Sequence, residues 1–251
     1  FVSFNYLKED GYIKRSNFER FSLRSNVNSQ LKTWLKTGVN VNFTKSGGLF
    51  ASTGGSNSIV NPFFFASRMG PIFPVYMYDP AKPGSYLLDA NGQRQYDYGN
   101  STGFTRPSGA YGGRHTIAEN EFSDERFNRN VFNGRTYAEI KLYEGLKLTT
   151  NFAADLQNRM DLTFQNKIIG DGAPAGRSSK SSEILTNYTF NQLLTYTKKV
   201  RDHSFDVLLG HENYSNNEDY LYGTRQGQVV DGNFELVNFT TTTNLGSYQD
   251  N

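Results

Sequence analysis

Between Leu146 and Gln165, apolar and polar residues alternate with a period of two. Eight of the ten even-numbered positions are apolar, whereas only one of the ten odd-numbered positions is. A helix would repeat apolar residues every three or four positions, so this pattern predicts a β-strand. Twenty extended residues reach about 66 Å, more than twice the hydrocarbon core of a bilayer, about 30 Å thick. A bend or bulge near Asn158 would shorten this run.

The same alternation predicts a meander of about seven strands joined by connections of two kinds. The other six strands include residues 2–6, 18–28, 35–44, 131–143, 183–197 and 203–213. Short connections fall at 29–34, 144–145 and 198–202, and longer ones at 8–17, 45–130, 166–182 and from 214 onward. Antiparallel barrels of the outer membrane have this arrangement, with short turns at one end and long loops at the other. The sequence therefore predicts an all-β antiparallel fold.

The polar face of these strands is rich in Asn, Thr, Gln and Ser, with scattered charges. A soluble sandwich typically carries more charge on its exposed face, whereas a hydrated lumen suits this composition. Trp34, beside a short turn, suits an interfacial anchor, although an ordinary exposed or core Trp is also possible. The residues that we expect to face the lumen are Arg20, Arg24, Asn40, Asn42, Arg135, Glu139, Asn151, Asp155 and Arg159.

The long excursion at 45–130 should be folded or functional, because structureless loops of this length are uncommon in compact domains. It contains six of the seven prolines, and Asn61-Pro62 suits the start of a short helix. Its aromatic side chains suit stacking on sugar rings or gripping of peptide side chains; packing of the loop's own core is the alternative. The candidate substrate-contacting residues are Tyr76, Tyr78, Tyr96 and Tyr98.

Composition excludes several classes of protein. The 251 residues include no cysteine, which excludes a disulfide scaffold, a thiolate zinc site and a cysteine nucleophile. A net charge of +2 gives no electrostatic basis for nucleic acid as the main partner. The mean hydropathy is −0.62, and no segment approaches the roughly 18 consecutive apolar residues of a spanning helix. The chain starts within a strand and stops in loop-like sequence, so we expect a piece of a longer protein.

No known catalytic or metal-binding motif is present in the sequence. The three histidines are scattered, and Asp89-Ala90-Asn91-Gly92 lacks the acidic residue that closes a calcium loop at its twelfth position. The glycines from Gly170 to Gly176 loosely resemble a phosphate loop, but no helical pattern follows them. We therefore predict no enzyme, no cofactor and no metal.

Several stretches of the chain together resemble the barrel of one family. They are residues 6–14, 18–24, 34–40, 70–76, 146–148 and 208–212. The family is that of the SusC/RagA-type TonB-dependent outer-membrane transporters. The order and spacing of the stretches match its barrel along nearly the whole chain, although each motif is weak by itself. His211 departs from the pattern, since Gln is more usual there.

The resemblance implies a 22-stranded barrel with an N-terminal plug, in the outer membrane of a Gram-negative bacterium. Such transporters import oligosaccharides or peptides with energy delivered through TonB, and a SusD-type surface lipoprotein caps them. The chain shows neither the plug nor the TonB-contacting segment. Seven strands cannot close the even-numbered barrel of a bacterial outer-membrane protein, and open edges in lipid are prohibitively costly. We therefore expect residues 1–251 to be a contiguous middle part of the barrel wall, with 45–130 as an extracellular excursion.

Two alternatives remain open from the sequence. A soluble, secreted β-sandwich that binds glycans or acts as an adhesin would also show alternating strands. A hydrolase on an all-β scaffold would need converging carboxylates, which the sequence cannot locate.

Overall fold

The computed structural model describes residues 1–51, 59–101 and 104–250. Eight of its strands form one antiparallel sheet in the order β1-β2-β3-β6-β7-β8-β9-β10. They are β1 (Val2–Asp10), β2 (Asn17–Lys32), β3 (Leu35–Leu49), β6 (Asp124–Tyr143), β7 (Leu146–Gln165), β8 (Arg177–Val200), β9 (His203–Gln228) and β10 (Phe239–Asp250). Between β3 and β6 lie the helices α1 (Pro62–Arg68) and α2 (Thr116–Phe122) and a two-stranded ribbon of β4 (Asn100–Ser101) and β5 (Phe104–Thr105). Single 3-10 turns occupy Ser108–Ala110 and Leu236–Asn238.

The meander predicted from the alternation is present, and its strands are longer than expected. β7 has the predicted bounds and pairs with both neighbours without a bulge at Asn158. β3 continues to Leu49 and β6 begins at Asp124, so the connection between them is shorter than 45–130. The turns at Glu144–Gly145 and near Trp34 lie at the same end of the sheet, opposite the long connections.

The eighth strand, β10, was not predicted. Its first half is a run of four threonines with no apolar alternation, so the period-two signal is absent there, although Thr favours strands. β8 and β9 also extend beyond the predicted ranges through serine-rich and tyrosine-rich sequence. These extensions lie toward the long-loop end of the sheet.

The apolar face of the sheet is exposed. The pairing register places Phe4, Leu23, Phe43, Phe132 and Leu156 in one row across five strands. Four of these side chains keep between 37% and 64% of their surface exposed, and no second sheet packs on them in the described residues. The described residues therefore do not form the β-sandwich that the sequence left open as an alternative. Leaving such a face in water costs about 25 cal/mol per Å² of apolar surface, so it needs an apolar partner.

Burial is concentrated at the long-loop end. Phe164, near the end of β7, is 4% exposed because two aromatic rings pack on it. The ring of Phe234 is stacked on it with ring centres 4.2 Å apart, and the ring centre of Phe239 lies 6.4 Å away. Most of the other buried apolar residues belong to the excursion between β3 and β6; they are Ala51, Val60, Phe65, Tyr96, Ala110 and Ala118. Among the described residues, no helix is both long and apolar enough to cross a membrane.

A charge on the apolar face should interfere with insertion into lipid. Phe152 lies on this face and is 42% exposed, whereas its neighbour Ala153 lies on the opposite face. We expect Phe152→Arg in the full-length protein to lower the free energy of folding into vesicles by about 2–4 kcal/mol. Urea titration of the folded fraction in lipid vesicles measures this difference. Ala153→Arg is the matched control, and an equal loss in both variants would contradict a lipid-facing role for Phe152.

Candidate functional site: the polar face and the rim domain

The nine residues predicted to face the lumen all lie on the face opposite the apolar row. In one row, Arg24 pairs with Asn42, and Asn42 with Asn133, which pairs with Asp155. The other predicted residues occupy parallel rows on the same face; they are Arg20, Asn40, Arg135, Glu139, Asn151 and Arg159. The alternation alone was sufficient to group them, because successive side chains of a strand point to opposite faces.

Amide side chains on the polar face are linked across the strands. Asn42 Nδ2 donates to Asn133 Oδ1 at 3.1 Å, and Asn133 Nδ2 donates to Asp155 Oδ1 at 2.6 Å. One strand further along the sheet, Asn151 Nδ2 donates to Asn191 Oδ1 at 2.7 Å. Asn133 and Asn191 were not among the nine candidates, although their position in the alternation would have identified them. These bonds hold the amides in fixed orientations and leave further donors and acceptors free for solutes.

A concavity of about 530 Å³ lies on this wall. Its lining includes Arg135, Asp155, Asn151 and the ring of Tyr137. Tyr137 was not among the candidates, because nothing in the alternation distinguishes it from its neighbours. The concavity offers a cation, a carboxylate and amides beside one aromatic ring.

Two ion pairs on the wall are largely exposed to solvent. Arg159 Nε lies 2.8 Å from Asp161 Oδ2, and Lys147 Nζ lies 3.5 Å from Glu139 Oε2. Arg129 Nε donates to the amide oxygen of Gln157 at 2.9 Å. Exposed pairs of this kind contribute about 0–1 kcal/mol to stability, so these side chains can exchange partners at little cost.

We call the described residues 59–101 and 104–123 the rim domain. Its helix α1 begins as predicted: Pro62 occupies the first turn, and Asn61 Oδ1 accepts from the backbone nitrogen of Phe63 at 3.0 Å. The stretch that begins at Asp89 forms a turn, with Asp89 Oδ1 accepting from the nitrogens of Asn91 and Gln93.

A short three-segment meander in the rim domain carries the loop tyrosines. Met77 N donates to Gln95 O and Leu87 N donates to Met77 O, which joins the segments. The rings of Tyr76 and Tyr96 are stacked with their centres 5.0 Å apart, and the rings of Tyr78 and Tyr86 are stacked at the same distance. The guanidinium of Arg94 lies 4.6 Å from the centre of the Tyr86 ring. The meander is therefore an aromatic surface with one associated cation.

The four candidate tyrosines differ in accessibility. Tyr78 is 52% exposed, whereas Tyr96 is only 8% exposed, and its hydroxyl donates to Glu121. Burial, followed by this hydrogen bond, raises the pKa of Tyr96 well above its ordinary value. Burial also raises the pKa of Tyr98, while Tyr76 is half-buried. Tyr96 thus packs the domain's own core, and substrate contact by these rings stays a prediction.

Helix α2 begins at a neutral histidine. His115 Nδ1 accepts from the backbone nitrogen of Ala118 at 3.2 Å, and its Nε2 lies 3.1 Å from Val75 O. An acceptor at Nδ1 and a donor at Nε2 require the uncharged ring. Burial, followed by the nearby charge of Arg106, lowers the pKa of His115.

Ion pairs tie the rim domain to the neighbouring loops of the sheet. Asp124, the first residue of β6 directly after the rim domain, is 3% exposed and lies 3.1 Å from Arg15 of the β1–β2 loop; it also pairs with Arg126. The same Arg15 donates to the backbone oxygen of Glu121 in the rim domain at 2.6 Å. Lys14 Nζ lies 3.0 Å from Glu121 Oε1 on α2. On the other side of the rim domain, Arg114 pairs with two carboxylates. Its Nη2 lies 3.0 Å from Glu119 Oε2 of α2, and its Nη1 lies 2.5 Å from Asp171 Oδ1 of the β7–β8 loop. Three long connections therefore form one structure at this end.

A single sheet with an exposed apolar face, a polar opposite face and its long loops gathered at one end is a segment of a transmembrane barrel wall. No protein-family model matches the chain. It is 27% identical over 219 residues to the TonB-dependent receptor P3 of Formosa agariphila and 24% identical over 221 residues to the TonB-dependent receptor SusC of Bacteroides thetaiotaomicron. Each match covers 84% of this chain but 19% and 21% of the relative. The chain thus spans about a fifth of the length of these relatives.

Solved structures show the same fold. The chain aligns over 99% of its length with a structure of the RagAB peptide transporter, with a TM-score of 0.75, 20% identity and 26% of that chain covered. A structure of the RagAB peptide importer in the open-open state gives a TM-score of 0.73 at 21% identity. Together with the two receptors, these matches confirm the resemblance to SusC/RagA-type TonB-dependent transporters and the partial barrel.

Removal of the Asp124 charge should loosen the rim domain. In Asp124→Asn, Arg15 and Arg126 lose their carboxylate partner at a buried position, which should cost about 1–3 kcal/mol. We expect faster cleavage of the excursion between β3 and β6 in limited proteolysis of the full-length protein. Glu19→Gln, which breaks the exposed Lys8–Glu19 pair, is the control and should leave the cleavage rate nearly unchanged. If the excursion were cleaved no faster in Asp124→Asn than in the wild type, the ion pairs of Asp124 would not be what holds the rim domain in place.

Acidification should destabilise the rim domain through His115. Because the folded-state pKa of His115 is lowered, only the unfolded domain takes up a proton as the pH falls below about 6.5. The contribution of His115 to stability is therefore complete above that pH and decreases as the pH falls to the folded-state value. Hydrogen exchange of α2 across this pH range measures the loss.

His115→Asn is the informative variant for that measurement, since Asn also caps helices but does not titrate. Burial raises the pKa of Glu119, which gives the opposite trend at lower pH, but this trend is common to both proteins. We expect the variant to lose the histidine-dependent part of the pH response. An unchanged pH response would show that His115 is not its source.

Proposed function

We propose that this chain is part of the wall of an outer-membrane transporter that imports large nutrients with energy delivered through TonB. The observation that carries the proposal is the sheet with an exposed apolar face on one side and hydrogen-bonded amides on the other. Lipid is the partner that such an apolar face needs, and a hydrated passage suits the polar face. The relatives are named as receptors and transporters rather than enzymes, which supports transport without catalysis.

In this proposal the nine predicted residues line the lumen. Their amides and exposed ion pairs offer many weak, exchangeable hydrogen bonds, because water competes for each of them. A surface of this kind lets a large polar solute pass without trapping it. The charged side chains of this set carry both signs: Arg20, Arg24, Arg135 and Arg159 are cationic, and Glu139 and Asp155 are anionic.

The partners follow from the family resemblance. The excursion between β3 and β6, with the loops at 11–16 and 166–176, would lie on the cell surface beneath a SusD-like lipoprotein. TonB would act through a plug that belongs to the remainder of the protein. The ion pairs of Arg15, Asp124 and Arg114 support this arrangement, because they give the rim a fixed surface for a partner. Oligosaccharides and peptides are both candidate substrates.

Energised uptake is the direct test. We expect cells deleted for the full-length gene to lose growth on one class of oligosaccharide or peptide, and a wild-type copy to restore it. Removal of TonB should abolish the restored growth, because the transporter then receives no energy. Membrane fractionation of the same cells should place the protein in the outer membrane. Recovery of the full-length protein from the aqueous phase without detergent would contradict the proposal.

A further inference from the structure

Tyr137 lies flat on the polar wall. It pairs directly with Gly38 across the β3–β6 ladder. A Cβ atom added to Gly38 would lie 2.3 Å from Cε1 and 3.0 Å from Cζ of the Tyr137 ring, so the ring occupies the space of the missing side chain. The Tyr137 hydroxyl donates to Asn28 Oδ1 of β2 at 3.2 Å, so the side chain reaches across β3 to the strand beyond it. One ring face therefore rests on the backbone of β3.

The same arrangement recurs toward the loop end of the wall. Tyr222 pairs directly with Gly246 in the β9–β10 ladder, and a Cβ atom on Gly246 would lie 2.6–2.8 Å from Tyr222 ring and hydroxyl atoms. Tyr220 lies beside it with ring centres 5.7 Å apart, and Tyr248 stacks on Tyr220 at 5.2 Å. Tyr248 Oη donates to Glu218 Oε1 at 2.5 Å. Two flat tyrosines thus occupy two heights on one polar face.

The surroundings of Tyr137 favour a sugar over a peptide. A sugar ring has an apolar face of C–H groups that matches a flat aromatic ring, and a rim of hydroxyls that both donate and accept. The concavity of about 530 Å³ around Tyr137 supplies the amides of Asn40 and Asn151, the carboxylate of Asp155 and the guanidinium of Arg135. It contains no free strand edge for peptide pairing, because β3, β6 and β7 are each paired on both sides.

We propose that the Tyr137 ring is the floor of a subsite for one pyranose ring of a glycan, and that Tyr222 offers a second platform nearer the loops. The proposal rests on the proposed function, since it requires this face to line the passage. It also narrows that function, because it selects glycans from the two substrate classes. In this arrangement the sugar stacks on the ring while Asp155 and the amides bond to its hydroxyls.

An alternative role for Tyr137 is to cover Gly38, since aromatic side chains stabilise glycines in sheets. That role predicts a loss of stability and no change in ligand affinity. The two roles are separated by measurement of both quantities in the same variants.

The test uses the purified full-length transporter in detergent, without TonB or any partner. Isothermal titration calorimetry with malto-, xylo-, manno- and galacto-oligosaccharides, and with a tryptic peptide mixture, measures binding. Heat-dependent gel mobility measures the folded barrel. We expect saturable binding of at least one oligosaccharide series by the wild type. Tyr137→Leu should weaken it about three- to tenfold, and Tyr137→Phe should retain most of it.

Gly38→Val is the second variant, because the added side chain displaces the ring while Tyr137 remains. We expect a similar loss of affinity. Two controls should bind as the wild type does: Tyr143→Leu at the exposed turn end, and Gly47→Ala, which lies on β3 on the opposite face. If both Tyr137→Leu and Gly38→Val fail to fold, Tyr137→Trp replaces them, and a changed glycan affinity supports the subsite.

Three results would overturn the subsite. They are the absence of saturable oligosaccharide binding by the wild type, unchanged affinity in folded ring variants, and an equal effect of those variants on peptide binding. Because binding is measured without energy, a failure of TonB-dependent uptake does not alter these results. Conversely, TonB-dependent uptake of peptides by a protein that binds no glycan would preserve the importer and exclude the subsite.

Discussion

The continuous antiparallel register of the main sheet is the constraint on which the rest of the structure depends. Because side chains alternate with a period of exactly two, a slip of one residue would move a whole apolar row to the polar face. The pairing from β2 to β9 is continuous, and its irregularities lie at the turns, near Gln30 and Tyr143. Both the exposed apolar rows and the amide network of Asn42, Asn133 and Asp155 follow from this register.

The two ends of the sheet are stabilised by different interactions. Along its length, the sheet buries few apolar side chains within the chain itself, so its stability depends on the hydrogen-bonded ladder and on lipid against its apolar face. At the loop end, Phe164 and Tyr96 are buried, and ion pairs around Asp124 join separate connections. The importer proposed above would need this division, because its wall would be supported by the membrane while its rim would hold its shape in water.

The polar wall combines two kinds of recognition. Amides and exposed ion pairs exchange readily with water, which favours passage over retention. A tyrosine that lies flat on a glycine adds a fixed apolar surface within this polar background, at Gly38 and again at Gly246. Such platforms at successive heights would guide a sugar chain from the rim inward, each by a modest stacking energy that does not prevent release.

The amino-acid sequence by itself determined the strand type and the two faces, because the alternation from Leu146 to Gln165 is a local property of the chain. The class of protein came from the resemblance of several stretches to one family. The sequence did not reveal β10, because the run of threonines in its first half shows no apolar alternation. Only the tertiary structure decided that Tyr96 packs the rim core, that Tyr137 rests on Gly38, and that Arg15 meets Asp124, 109 residues away. These contacts join strands and loops across the long excursion, and the pairing of distant segments depends on the whole sheet rather than on any local pattern.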